Sequence, residues 1–177
     1  MPVLKRSCKK SMCSSHLELQ KGVTLIEALI VVVIIGILAG IAVPSYREML
    51  ERNQLRDAVQ NIKGAILLAH SEAIKQSDSF FVNVSNGNNG SWCYGTNVSV
   101  ACDCTVTDSS AANYCANSRM PAISRYPRTS ITTATTIEFE PLRGTSSSGL
   151  SSFAVSTDNF SSTLTVTSAG RVSVTDI

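Results

Sequence analysis

Apolar residues follow one another without a polar interruption over residues 28–43, a run of 16 reading ALIVVVIIGILAGIAV. Extended back to Val23 the stretch has 21 residues, about 32 Å as a helix, close to the hydrocarbon thickness of a bilayer. Glu27 sits inside it. A carboxylate in lipid costs about 2.5–3.5 kcal/mol on insertion scales, so it signals a function and a partner. Pro44 lacks an N–H and clashes with the preceding turn, which predicts a kink or local melting over 39–44, helped by Gly36 and Gly40. Beyond it the period changes. Leu55, Val59, Ile62, Ile66, Ala69 and Ala73 recur at helical spacing and predict an amphipathic helix over 45–75, its stripe packed on the protein's own sheet. Arg52, Arg56, Gln60 and Lys63 lie mostly off that stripe. From Gln76 onward the pattern is short and β-rich, predicting strands at 79–84, 91–94, 131–139, 153–156, 162–167 and 171–175. NGNNG (86–90) and PLRGTSSSG (141–149) read as turns or loops. The layered solution is an α+β fold, a long N-terminal helix packed on an antiparallel β-sheet head.

Charge sharpens this picture. The chain has 177 residues, enough for one modest domain with an appendage, and a formal net charge of +2. Five of the 15 Lys and Arg (Lys5, Arg6, Lys9, Lys10, Lys21) and one of the 13 Asp and Glu (Glu18) lie in residues 1–22. The remainder therefore holds 10 basic and 12 acidic residues, which excludes nucleic-acid binding argued from bulk charge. Basic residues ahead of the apolar run put the N-terminus in the cytoplasm and the head outside. A secretory signal cut near Ala39 and Ala42, or a plain anchor, would account for the run but not for Glu27.

GVTLIEALIVVVIIGILAGIAVPSY resembles the processing signal of type IV pilins and type II secretion pseudopilins. The resemblance implies cleavage by a prepilin peptidase between Gly22 and Val23 and N-methylation of Val23, which stands where the family usually has Phe. Glu27 and Pro44 become the fifth and twenty-second mature residues, as in the family. Glu27 is then an assembly residue, paired in a filament with the new amine of a neighbour, and such a pair between chains sets register. The implied segments are a leader (1–22), a membrane-spanning and filament-packing helix (23–43), an amphipathic helix (44–75) and a disulfide-bonded head (76–177). The leader is long and holds Cys8 and Cys13, so Met12 is an alternative start. WCYG, CDC, FEPLRGT and SAGRV are similar to the FimT/FimU/GspH branch of minor pilins and pseudopilins.

Cys93, Cys102, Cys104 and Cys115 fall in the extracytoplasmic head, where two disulfides are expected. A Cys102–Cys104 bridge would close a strained small ring, so each of that pair is expected to join Cys93 or Cys115. The C-x-C spacing and the oxidising compartment argue against a zinc site, and no metal or cofactor is expected. His70 reads as an ordinary surface or boundary residue, and the chain's other histidine, His16, lies in the leader. With no histidine in the head to activate a serine, and Asp103, Asp108, Glu138 and Glu140 in no interpretable spacing, no enzyme is expected and no catalytic residue is named. Some members of this branch are DNA receptors with a GRxR-type ending. Here Arg171 matches its first arginine, Ser173 replaces the second, and Arg119, Arg125 and Arg128 supply further positive charge.

Three functions remain open. One is a minor pilin in the tip or priming complex of a type IV pilus. The second is a type H pseudopilin of the type II secretion system. The third is a pilus-borne DNA receptor. The expected partners are other pilins or pseudopilins, prepilin peptidase, inner-membrane lipid before assembly and, for the third reading, DNA. The expected location is the bacterial inner membrane, single-pass with a periplasmic head, then a pilus or periplasmic pseudopilus.

Overall fold

A computed structural model describes residues 22–121 and 125–176, with the side chains of all but 118–121 and 176. Residues 1–21 of the expected leader, Cys8, Cys13 and His16 among them, and the Arg119 side chain lie outside the described residues. The chain divides into two units, Met1–Ile41 and Ala42–Ile177.

One helix, α1 (Leu25–Gln76), is assigned through both apolar run and amphipathic stretch. It starts where Thr24 Oγ1 accepts the Glu27 N–H at 3.3 Å, the cap expected of the T-x-x-E sequence TLIE. The expected melting over 39–44 does not occur, and helical backbone runs through Pro44. Pro44 deletes one bond to Gly40, and the helix formers on both sides (Ile41 and Ala42 before it, Arg47, Glu48, Met49 and Leu50 after it) carry the helix past that loss.

In the first unit, and on to Val43, the large apolar side chains are 50–83% exposed. α1 is long and apolar enough to cross a membrane.

In the second unit all six residues of the predicted stripe are buried, and Glu51, Ala58 and Ala65 join them. They pack on two antiparallel sheets rather than one. The first has the order β3 (Ser118–Pro121), β2 (Cys93–Val98), β1 (Phe80–Val84), β5 (Thr135–Phe139). The second has the order β4 (Ser130–Ile131), β6 (Ser151–Ser156), β7 (Ser161–Val166), β8 (Val172–Asp176). The β1–β2 hairpin pairs Val84 with Tyr94. The single run expected over 131–139 is divided between the sheets. Ile131 pairs with Val155, whereas Ile137 pairs with Val82. A bend at Thr133 lets one β-branched segment serve both sheets, a corner typical of packed sheets. β3 was not expected, and β2 continues four residues past Tyr94. Alternation then places Val82, Ile137, Phe139, Phe153, Val155, Leu164 and Val166 in one core with the helix stripe.

Candidate assembly site

Gly22, Val23 and Glu27, the residues tied to cleavage, methylation and assembly, are exposed at the start of α1. A carboxylate in the first helical turn also complements the helix dipole, so Glu27 carries a local role that the sequence reading missed. Pro44 and Arg47 line an open groove with Glu48, Glu51, Asn159 and Phe160.

The head is tied to α1 by polar contacts along one face. Buried Glu51 accepts Arg128 Nη1 at 3.3 Å through Oε1 and Asn159 Nδ2 at 2.8 Å through Oε2. Two partners satisfy both oxygens, and removing either strands a buried charge. Two turns further on, the Tyr126 hydroxyl donates to Asp57 Oδ2 at 2.9 Å and accepts from Asn61 Nδ2 at 2.8 Å. Arg125 Nε lies 3.5 Å from the same Asp57 oxygen. The Tyr126 ring stacks on buried Trp92 at 5.7 Å, and Trp92 Nε1 donates to Thr129 Oγ1 at 3.0 Å. Burial, then the hydrogen bond to Asp57, pushes the Tyr126 hydroxyl from its usual value near 10 up to about 12. A folded-state value above the unfolded one means stability is intact below pH 10 and lost as pH rises toward 12. Tyr126→Phe should therefore flatten that part of the alkaline fall in the thermal midpoint of the detergent-solubilised chain. An unchanged alkaline slope would show that Tyr126 does not carry it.

Arg125 and Arg128 are thus engaged with α1, while Arg171 is exposed at the β7–β8 turn. That turn reaches α1 at His70, thirteen residues beyond Asp57, or about 20 Å along the helix. The fold does not gather Arg125, Arg128 and Arg171 into one patch.

The four head cysteines pair as Cys93–Cys104 and Cys102–Cys115, and all four are buried together. They close loops of 11 and 13 residues, each worth about 3 kcal/mol in the chain-entropy account. Cys93–Cys104 ties residues 99–117, which have little core of their own, to β2, and Cys102–Cys115 closes that segment on itself. Asp103, Asp108, Glu138 and Glu140 each accept a nearby hydroxyl (Thr105, Ser110, Ser147 and Thr145), so these carboxylates hold turns.

His70 has a larger part than its sequence suggested. Its ring meets Phe139 edge-on at 5.4 Å. Gly144 and Gly170 press against it, and a Cβ at either would lie 2.7 Å from His70 Nε2. Both glycines also have positive φ, +63 and +74. The glycines of FEPLRGT and SAGRV therefore meet at one place, on His70. Their recurrence in both stretches was the available signal, but nothing local linked them to the helix.

The family model described as type II transport protein GspH matches residues 58–170, which is most of the head and the amphipathic helix. The chain belongs to the GspH family. The prokaryotic N-terminal methylation motif matches residues 19–43. The chain is 36% identical over 88 residues to fimbrial protein EcpC of Eikenella corrodens, covering 48% of this chain and 58% of that protein. It is 37% identical over 84 residues to the type IV major fimbrial protein FimA of Dichelobacter nodosus, covering 45% of this chain and 52% of that one. The chain thus spans little more than half the length of these curated relatives. The type IV minor pilin FimU of Pseudomonas aeruginosa shares the fold, with a TM-score of 0.52 over 72% of this chain and 92% of that one at 17% identity. GspH-family chains fall within the type IV pilin and pseudopilin superfamily, whose members are structural subunits and not enzymes.

Proposed function

We propose that this GspH-family chain is a minor pilin of a type IV pilus, a structural and assembly subunit at or near the filament tip or its priming complex. Prepilin peptidase removes residues 1–22, and Val23 becomes the methylated N-terminus. Residues 23–43 hold the chain in the inner membrane with the head, 76–177, in the periplasm, and 44–75 form the helix beneath it. After extraction the same apolar residues pack against other pilins, with Glu27 facing a neighbour's amine and Pro44 at the end of the packed segment. The observation that carries this reading is a methylation motif on an exposed apolar segment, residues 23–43, whose one carboxylate is Glu27. Such a surface needs lipid first and other apolar helices later. A type H pseudopilin in a periplasmic filament is the second reading, favoured by the family model over 58–170. The test is mass spectrometry of the chain in sheared pili and in membranes. The expected species begins at N-methylated Val23 and occurs in pili. An unprocessed chain, or one absent from pili in a strain that assembles them, would sink the pilin reading. Loss of protein secretion with normal piliation in a deletion strain would favour the second.

A further inference from the structure

The apolar run ends in a groove. Ala42 and Val43 are its last residues, and Tyr46, Arg47 and Leu50 follow them on one face of α1. With Arg128 from the head, these five line an open groove of about 590 Å³. Val43 and Tyr46 are 51% and 62% exposed, so its wall is apolar and uncovered. Two guanidiniums border it, and none of its lining residues is a carboxylate.

Both cations have donors left over. Arg47 is exposed and has no ion pair among the described residues. Arg47 also borders the groove that holds Glu48 and Glu51, but those carboxylates are already engaged. Glu48 faces Arg52 at 3.0 Å, and the two oxygens of Glu51 accept Arg128 and Asn159. Arg128 gives Glu51 only Nη1, and its side chain is 43% exposed, so the rest of its planar fork can take a second acceptor.

Height along the helix selects the occupant. Residues 23–46 hold no Lys or Arg, so Arg47 is the first cation past the apolar run. It lies four residues beyond Val43, about 6 Å along the helix. The headgroup layer of a bilayer is about 5–8 Å deep on each side of the hydrocarbon core. Arg47 therefore falls at the level of lipid phosphates, with Tyr46 beside it where aromatic side chains settle in membranes. A phosphodiester offers a negative charge and oxygens spaced for a guanidinium fork.

We propose that this groove binds the headgroup of an anionic phospholipid of the periplasmic leaflet. The phosphate sits between Arg47 and Arg128, and the glycerol and first methylenes lie on Ala42, Val43 and Tyr46. The lipid holds the head at one height and one rotation on the bilayer until the helix is extracted. The inference rests on the membrane-held stage of the proposed function and names the lipid class within it.

The test returns the full chain to nanodiscs holding equal phosphatidylglycerol and phosphatidylcholine and reads the lipid it retains by native mass spectrometry. Wild type should prefer phosphatidylglycerol by about twentyfold, and Arg47→Gln and Arg128→Gln should each lower that preference about fivefold. Arg47 holds no partner in the head, so Arg47→Gln should keep the wild-type thermal midpoint, which separates lost binding from lost fold. Arg52→Gln, outside the groove, should retain lipid as wild type does. A photo-crosslinker at position 46 should capture phospholipid in cell membranes. Equal retention of the two lipids by wild type, an unchanged preference in Arg47→Gln, or an equal loss in Arg52→Gln would overturn the site. Capture of protein alone at position 46 would give the groove to another subunit instead. If wild type does not enter the nanodisc bilayer, the membrane reading falls and the site with it. If it enters and shows no preference, only the site falls.

Discussion

Glu27→Gln leaves the chain cleaved, methylated and membrane-bound, yet all but removes it from filaments: this is the largest effect expected. Glutamine inserts into lipid more readily than glutamate, so failed insertion cannot explain the loss. The start of the helix survives as well, because Thr24 Oγ1 accepts the backbone N–H of residue 27 and not its side chain. On the proposed reading, what disappears is the partner of a neighbour's new amine. Leaving one member of a buried ion pair alone costs about 3–5 kcal/mol, more than a hundredfold in an association constant. Quantitative immunoblots of sheared filaments against membranes read the effect, and mass spectrometry reports cleavage and methylation. Thr24→Val is the control, since it removes the cap and keeps the charge. Filament levels of Glu27→Gln equal to wild type would end the assembly role given to this residue. A Thr24→Val loss as deep as that of Glu27→Gln would move the role from charge to helix start.

Gly170→Val should destabilise the head more than a typical surface change. Two costs coincide there. The φ of +74 costs a branched L-residue about 1–2 kcal/mol, and a new Cβ would sit 2.5 Å from the Gly144 carbonyl oxygen and 2.6 Å from His70 Cδ2. Crowding of that kind adds about 1–3 kcal/mol. The sum lowers the thermal midpoint of the detergent-solubilised chain by roughly 10 °C. His70→Ala placed in the same chain removes one of the two collisions and should recover part of the loss, while the backbone collision with Gly144 remains. An unchanged midpoint in Gly170→Val would mean that SAGRV does not seat on the helix as described.

These two sites differ in how far they could be read from the chain. Glu27 stands out in the sequence because its anomaly is local: one charge within an apolar run, at a spacing matching a known processing signal. The helix stripe was legible for the same reason, and all six of its residues are buried. Gly170 stood out only as part of SAGRV, a stretch of family resemblance, and not as the seat of a histidine a hundred residues earlier. Arg125 and Arg128 looked like free positive charge, whereas Asp57 and Glu51 on α1 engage them. Leu142 looked like an ordinary loop residue, and only backbone angles mark it as strained.

By itself the sequence determined the membrane-length helix, its continuation as an amphipathic stripe and the β-rich head. Hydrophobic period, charge placement and turn chemistry act within a few residues, so a linear reading captures them. Tertiary structure alone decided that one β-branched run crosses between two sheets, that Cys93 joins Cys104 while Cys102 joins Cys115, and that two glycine turns close on His70. Each of these depends on which distant segments meet once the core has closed. That choice is made by the free energy of the whole packed head, and no short window of the chain contains it.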